Sequence, residues 1–405
     1  MRLHKNLVTA VVKALQDIFW EGRYADKTIE YIFKHNKKWG SRDRAFIANT
    51  VYEMVRWWRL IWFIKGEEPV NDETKLWNLF AIWYTLEGNE LPEWNELGTV
   101  NTNLIKSRWE KAQKIRDVVH SFPKWLDKLA AQELGEKEWE KEASALNKHA
   151  LLVLRCNTLK ISINELKKYF ESLNIKYEQL FDYPDAFILE NRINIFRLEA
   201  FKNGWIEIQD ASSQLVAPFL DVKPGMRVVD ACAGAGGKTL HIGTLMKNKG
   251  KIIAMDTEEW KLKELRKRSS RNGIDIIETK LIDSQKTIKR LKESADRLLL
   301  DVPCSGLGVL RRNPDAKWKL SPEFIEEVKQ KQQDIISNYS EMLKPGGKMV
   351  YATCSILPSE NQEQVKAFLN KNSNFKLLEE KIILPSTSGF DGFYMALLEK
   401  NKNSN

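Results

Sequence analysis

The sequence predicts an α/β protein in three parts: an all-helical region over residues 1–145, a small α/β unit over 146–208, and an open, mainly parallel sheet with helices on both faces over 209–400. Three observations predict it. Residues 1–145 hold 11 of the 14 tryptophans and place apolar residues at helical spacing. From residue 151 the text changes to short β-prone runs. From about residue 209, apolar runs of strand length alternate with helical stretches, the signature of strand–helix–strand units. The polar residues 401–405 read as a disordered tail.

In the first part, residues 41–65 open on a polar Ser41 with Asp43 in the first turn. Phe46, Ile47, Val51, Met54, Val55 and Trp58 then recur on one helix face. Arg42, Arg44, Arg56 and Arg59 fall on the polar side as a candidate stripe for RNA, while the tryptophans read as core. Residues 1–65 carry 13 Lys/Arg against 6 Asp/Glu, residues 66–150 carry 11 against 16, and the rest 40 against 33. Basic surface toward both ends suits a polyanion; charge alone fits a solvated face equally well. No apolar leader follows the first residues. The run 57–64 contains Arg59 and is too short to span a bilayer, so a soluble, cytoplasmic protein without a membrane partner is expected.

The second part reads as a strand over 151–155, a helix over 165–173 and a strand over 186–189, closing near Gly204. In the third, strands at 227–230, 251–256, 297–301 and 348–353 are separated by helical stretches such as 258–272 and 322–343. Ligands of such sheets bind at the carboxyl ends of the strands, and the chemically suggestive residues fall there.

The first of these strands runs into Ala231-Cys232-Ala233-Gly234-Ala235-Gly236-Gly237-Lys238-Thr239. Glycines between a strand and a helix let a ligand approach the backbone beside the positive helix end. A phosphate-binding Walker loop needs glycine five positions before Gly237, where Cys232 stands. The dinucleotide pattern needs glycine where Thr239 stands. A nucleoside cofactor without a long phosphate tail fits better. Asp256 ends the next strand, placed for ribose hydroxyls, and Asp283 a third, placed for an adenine amino group.

The four cysteines, Cys156, Cys232, Cys304 and Cys354, show no zinc-type spacing, and no metal is expected. Two of them, Cys304 in Asp301-Val302-Pro303-Cys304-Ser305-Gly306 and Cys354 in Thr353-Cys354-Ser355, lie at strand ends on one side of the sheet, beside Asp301. C5 of cytosine is too poor a nucleophile to accept a methyl group directly. Thiolate addition at C6 overcomes this by making C5 electron-rich. The reaction needs an accessible cysteine, an acid or hydrogen-bond partner at N3/N4, for which Asp301 is placed, and a target base drawn from its stack. Composition and spacing do not rank Cys354 over Cys304.

At these residues the chain resembles the Sun/Nop-type RNA (cytosine-C5) methyltransferases. The motifs appear in order: Gln209-Asp210-Ala211-Ser212-Ser213-Gln214, the loop 232–238, the Asp301–Gly306 and Thr353–Ser355 stretches, and Asp391-Gly392-Phe393-Tyr394. The resemblance implies a class I (Rossmann-like) S-adenosylmethionine methyltransferase domain that makes 5-methylcytosine. It makes Cys354 the nucleophile, with Cys304 assisting release. It sets S-adenosyl-L-methionine against Cys232, Ala233, Gly234, Ala235, Gly236, Gly237, Lys238, Asp256, Asp283 and Asp301. Lys38-Trp39-Gly40-Ser41-Arg42-Asp43-Arg44 and Ser121-Phe122-Pro123-Lys124-Trp125-Leu126 are similar to the RsmB-like subgroup with a NusB-like helical domain, which acts on small-subunit ribosomal RNA. Arg155-Cys156-Asn157-Thr158-Leu159-Lys160 matches the start of the family's small RNA-binding unit. Arg42, Arg44, Arg155 and Asn157 are the expected RNA contacts, and a monomer is expected. The chain departs from the family at Gly234-Ala235, where Ala-Pro is usual, and over residues 66–115, which include the acidic stretch 87–96.

Two other functions compete. A non-catalytic ribosome-assembly factor retaining the fold would bind RNA without turnover, against which Asp301, Cys304 and Cys354 all stand intact. A methyltransferase for exocyclic amines would leave Cys354 without a task.

Overall fold

A computed structural model describes residues 3–402, so the expected tail lies partly outside the described residues. The chain forms two compact units. One comprises the amino-terminal residues through Lys148 together with Leu310–Pro322; the other comprises His149–Val309 and the chain from Glu323 onward.

The first unit is helical, with Lys5–Phe19, Ala25–His35, Ser41–Arg56, Trp58–Lys65, Glu73–Leu86 and Thr102–Ala112 as its longer early helices and Lys124–Leu134 and Glu136–Leu146 as its later ones. Leu7, Val11, Leu15, Ile47, Val51, Trp58, Trp62 and Phe80 meet in one core, which confirms that most of the indoles pack rather than display themselves. The single helix expected over 41–65 is broken at Trp57. Ser121 Oγ accepts the Arg59 and Leu60 amides at 3.0 and 3.4 Å, giving the second segment its own start. Ser41 is not the cap. Gly40 precedes the first turn, and its amide donates to Asp43 Oδ2 at 3.2 Å.

Residues 310–322 were expected in the sheet domain and instead pack in the helical unit. Lys317 is 1% exposed; its Nζ donates to the Arg56 carbonyl at 2.9 Å and Asn147 Oδ1 at 3.3 Å, over the Phe122 ring. Burial holds its pKa well below that of an ordinary lysine. Trp318 Nε1 donates to the Val55 carbonyl at 2.8 Å, and Asp315 Oδ2 accepts the Ala25 amide at 2.9 Å.

The second unit has two sheets. Strands β1 (Leu152–Cys156), β2 (Tyr177–Glu178), β3 (Ala186–Leu189) and β4 (Ile206–Ile208) form an antiparallel sheet in the order β2-β3-β1-β4. Its helix Ile163–Ser172 starts at a capping box, in which Ser162 Oγ accepts the Glu165 amide and the Glu165 carboxylate accepts the Ser162 amide. The larger sheet contains β5 (Arg227–Asp230), β6 (Lys251–Asp256), β7 (Ile277–Leu281), β8 (Ala295–Asp301), β9 (Leu343–Thr353), β10 (Phe375–Ile383) and β11 (Phe393–Lys400), in the order β10-β11-β9-β8-β5-β6-β7. The five strands from β9 to β7 are parallel; the β10–β11 hairpin adds an antiparallel edge. Leu298 and Leu300 pack on one face and Leu299 on the other, so a buried parallel strand reads as an unbroken apolar run.

Candidate active site

Chemistry-bearing residues collect at the carboxyl ends of neighbouring parallel strands. β5 ends at Asp230, β6 at Asp256 and β8 at Asp301, and Cys354 follows β9 directly. With β5 between β6 and β8, the chain's connections diverge to either side of it, which opens a crevice above these ends.

Loop 232–238 joins β5 to the helix Gly237–Leu245. Gly236 stands at φ +90°, and a Cβ there would come within 2.6 Å of Leu265 Cγ, so only glycine packs this closely. A Cβ on Gly234 or Gly237 would instead meet nothing within 4 Å, which leaves open space for a ligand along the loop. Asp256 orders the loop from the next strand: Oδ2 accepts the Gly234 amide and Oδ1 the Glu258 amide, both at 2.9 Å. Arg268 steadies the far side. Its Nη1 donates to the Ala235 carbonyl and its Nη2 to Glu207 of β4, both at 2.8 Å, which ties the small sheet to the loop through one guanidinium.

Thr239, in the sequence only a missing glycine, donates through Oγ1 to Asp230 Oδ2 at 2.6 Å, and burial lifts the Asp230 carboxyl to about 7. Burial, with the Asp230, Asp301 and Asp256 charges around it, pushes the Cys232 thiol far up, so this cysteine is a packed neutral group. Asp283 lies two residues beyond the end of β7 and is exposed. It accepts from Thr287 Oγ1 at 2.6 Å and Ser284 Oγ at 3.0 Å, bonds that hold it below the usual carboxylate range.

The two cysteines converge. Register pairs Asp301 with Ala352, and beyond that pair Cys304 Sγ and Cys354 Sγ lie 3.3 Å apart as free thiols. Their approach is held by backbone: the Gly308 amide donates to the Cys354 carbonyl at 2.8 Å, and the Gly392 amide to the Gly308 carbonyl at 2.8 Å. A Cβ on Gly308 would stand 2.3 Å from the Gly392 oxygen, which explains an Asp-Gly pair so far along the chain. Hydrogen bonding to Cys354, then burial, then the Glu360 charge all raise the Cys304 thiol well above its ordinary value. Beside them Lys238 Nζ donates to Asp301 Oδ2 at 2.7 Å and lies 4.9 Å from the Phe393 ring centre. Burial works against the Lys238 charge, but Asp301 outweighs it, and its pKa is raised.

Sequence reasoning missed a polar mesh behind the thiols, where Ser305 and Ser355 share the carboxylate of Glu360. A serine after each cysteine was its only signal, and Glu360 itself stood in no motif.

The expected RNA contacts separate. Arg42 is exposed, but Arg44 is engaged with the Trp39 carbonyl at 3.0 Å and the Phe33 ring. Arg56 and Arg59 pair with Glu53 and Asp117. Arg155 and Asn157 are each 1% exposed and present nothing to a solvent-side partner. Asn157 Nδ2 donates to the Gly204 and Asn272 carbonyls, and burial pulls the Arg155 guanidinium down to about 10. In the helical unit a cleft of about 1080 Å³ is lined by Lys13, Lys34, His35, Lys37, Lys38 and Trp39, with no carboxylate among its described lining residues.

A parallel sheet with a glycine loop after its first strand, an acid at the end of the second and a paired-cysteine site defines a class I S-adenosylmethionine-dependent methyltransferase. The description "16S rRNA methyltransferase RsmB/F" matches residues 217–399, and that of an RsmF/B-like ferredoxin-like domain matches residues 122–196. The chain is 36% identical over 299 residues to the probable ribosomal RNA small subunit methyltransferase B of Synechocystis, covering 69% of this chain and 67% of that protein. It is 36% identical over 338 residues to ribosomal RNA small subunit methyltransferase B of Vibrio vulnificus, covering 79% and 78%. The crystal structure of PH0851 superposes with a TM-score of 0.82 at 27% identity, over 99% of this chain and 100% of that one. The chain therefore belongs to the RsmB/F family of 16S rRNA methyltransferases, S-adenosylmethionine-dependent enzymes that methylate C5 of cytosine.

Proposed function

We propose that this protein methylates C5 of one cytosine in small-subunit ribosomal RNA through a covalent adduct between Cys354 and C6. The observation that carries this reading is the 3.3 Å separation of Cys354 Sγ from Cys304 Sγ at the ends of adjacent strands, next to Asp301. The Cys354 thiolate adds to C6, and the C5=C6 electron pair moves to C5. S-adenosylmethionine, when bound, supplies the methyl group that C5 takes up. In the adduct Cys304 gives its own proton to solvent, its sulfur then takes the C5 proton, C5=C6 re-forms, and Cys354 leaves as thiolate. At rest Cys304 is a neutral thiol, because its contact with Cys354, burial and the Glu360 charge all oppose ionisation, so it serves as base only after that proton has left. Asp301, held by Lys238, accepts a hydrogen bond from the cytosine N3/N4 edge.

The donor set fits the cofactor: open space along Gly234 and Gly237, the amide end of the following helix, and Asp256 for the ribose diol. Asp283 is assigned to the adenine edge. The lysine-lined cleft, with Arg42, is assigned to the RNA backbone, since cations without carboxylates bind phosphates regardless of sequence. No helix among the described residues is long and apolar enough to cross a membrane, and the reaction belongs in the cytoplasm with its ribosomal RNA.

The test is adduct chemistry. Cys354→Ala should lower turnover at least 1,000-fold, the order expected for losing a covalent nucleophile, with no adduct. Cys304→Ala should trap a protein–RNA adduct stable to denaturation. Equal, adduct-free losses in both would overturn the assigned roles.

A further inference from the structure

Glu360 is fully buried and stands in the short 3-10 turn Pro358–Glu360, after β9 and the Cys354 loop. One carboxylate there gathers four donors. Ser305 Oγ and Ser355 Oγ each donate to Oε1 at 2.5 Å; the Ser305 amide and Gln332 Nε2 donate to Oε2 at 2.8 and 3.1 Å. The two serines directly follow the two cysteines, and their hydroxyls are 3.2 Å apart, a second pairing of the same two loops behind the sulfurs. The turn is fixed in its own right, because Tyr351 Oη donates to the Glu360 carbonyl at 2.8 Å and Asn361 Nδ2 to the Ser355 carbonyl at 3.0 Å.

We propose that Glu360 is a positioning residue for the two-thiol chemistry: its carboxylate clamps the Cys304 and Cys354 loops together and so sets the distance and order in which the two sulfurs meet the base. This rests on the roles given above to Cys354 and Cys304. Each loop hangs on the clamp through a serine hydroxyl, in addition to the Gly308 amide bond to the Cys354 carbonyl. Removing the carboxylate leaves the Ser305 amide and at least one serine hydroxyl buried without an acceptor, while Gln332 keeps the Pro303 carbonyl, and the loops relieve this by parting. The clamp also sets a negative charge behind the thiols, which opposes ionisation of Cys304.

Glutamine at this position separates geometry from charge. Its oxygen can accept from the Ser305 amide and Gln332, and its amide can donate to both serine oxygens, which are free to rotate. The experiment compares full-length E360A and E360Q with the native protein and C354A, measuring kcat, the KM for S-adenosylmethionine, adduct yield and the pH profile on one RNA. E360A is expected to lose at least 100-fold in kcat with the cofactor KM within threefold of native. E360Q is expected to keep kcat within tenfold, with the limb that reports thiol ionisation displaced to lower pH. Where E360A does not fold, S305A/S355A takes its place with the same expected split. E360A or the double variant within threefold of native kcat overturns the clamp. So does a fall in cofactor binding as large as the fall in kcat, with no rescue in E360Q. Turnover by C354A would instead overturn the nucleophile assignment, whatever Glu360 does.

Discussion

Asp230 is 1% exposed, holds Thr239 at 2.6 Å and has its carboxyl lifted by burial to about 7. An acid whose folded pKa lies above its unfolded value of 3.8 favours folding while protonated, and that advantage is lost as pH rises from about 4 to about 7. Asp230→Asn, which keeps the acceptor for Thr239, should therefore gain stability over the native protein across that window, by at most about 4 kcal/mol. His241, driven by burial down to about 4, works in the opposite sense over part of the same range. Comparing melting temperatures of variant and native protein at each pH isolates Asp230; a constant difference from pH 4 to 8 would rule out the linkage. At this scale sequence signals attach to residues tied to their neighbours: Cys354, Cys304, Asp256 and the glycines all stand in local motifs, and the structure brings the two cysteines together and sets Asp256 against the Gly234 amide. Glu360 carries no such signal, because its partnership with Ser305 spans 55 positions. Arg155 was misplaced. The family resemblance made it an RNA contact, yet β1 is one of the two inner strands of its sheet, and the side chain is enclosed near the charges of Glu207 and Asp185.

Elements carry two further consequences. The glycine loop is steadied from outside by Arg268, whose guanidinium bonds both Ala235 and Glu207. Removing such a charge-assisted bond costs about 1.4 kcal/mol, so Arg268→Ala should raise the KM for S-adenosylmethionine about tenfold. The measurement is initial rate against cofactor at saturating RNA, and an unchanged KM would show that the loop holds its shape alone. In the helical unit, replacing Lys34, Lys37 and Lys38 with alanine removes three cations from the cleft. The slope of log affinity for RNA against log salt should then shrink by about 2 to 3, at roughly 0.7 to 0.9 per phosphate contact. A slope equal to that of the native protein would take the RNA backbone away from this surface. Buried parallel strands were legible from their apolar runs, and β5 and β6 fall where their hydrophobic stretches lie. The edges were legible only in part. A third strand ending at Asp283 was expected and β7 closes two residues before it, but β10 is exposed along all but its two end residues, and the β10–β11 hairpin that completes the sheet carries little of the alternation that marks a strand.

At the scale of the whole molecule, the division into successive domains misses that Leu310–Pro322 leaves the sheet unit and packs in the helical one. No local pattern announces such an insertion. Lys317 looks like a surface lysine until its bonds to Arg56 and Asn147 are seen, and those contacts join positions more than 150 residues apart. On the proposed reading, two thiols, one acid and one cofactor loop, carried on an RsmB/F-type chain, make 5-methylcytosine in small-subunit ribosomal RNA. The most direct measurement incubates the protein with labelled S-adenosylmethionine and unmodified 16S rRNA, then maps 5-methylcytosine by bisulfite sequencing, with Cys354→Ala alongside. A single methylated cytosine, absent with the variant, is the predicted result. Label incorporated equally by native protein and variant, or none at all into this RNA with the cofactor bound, would contradict the account.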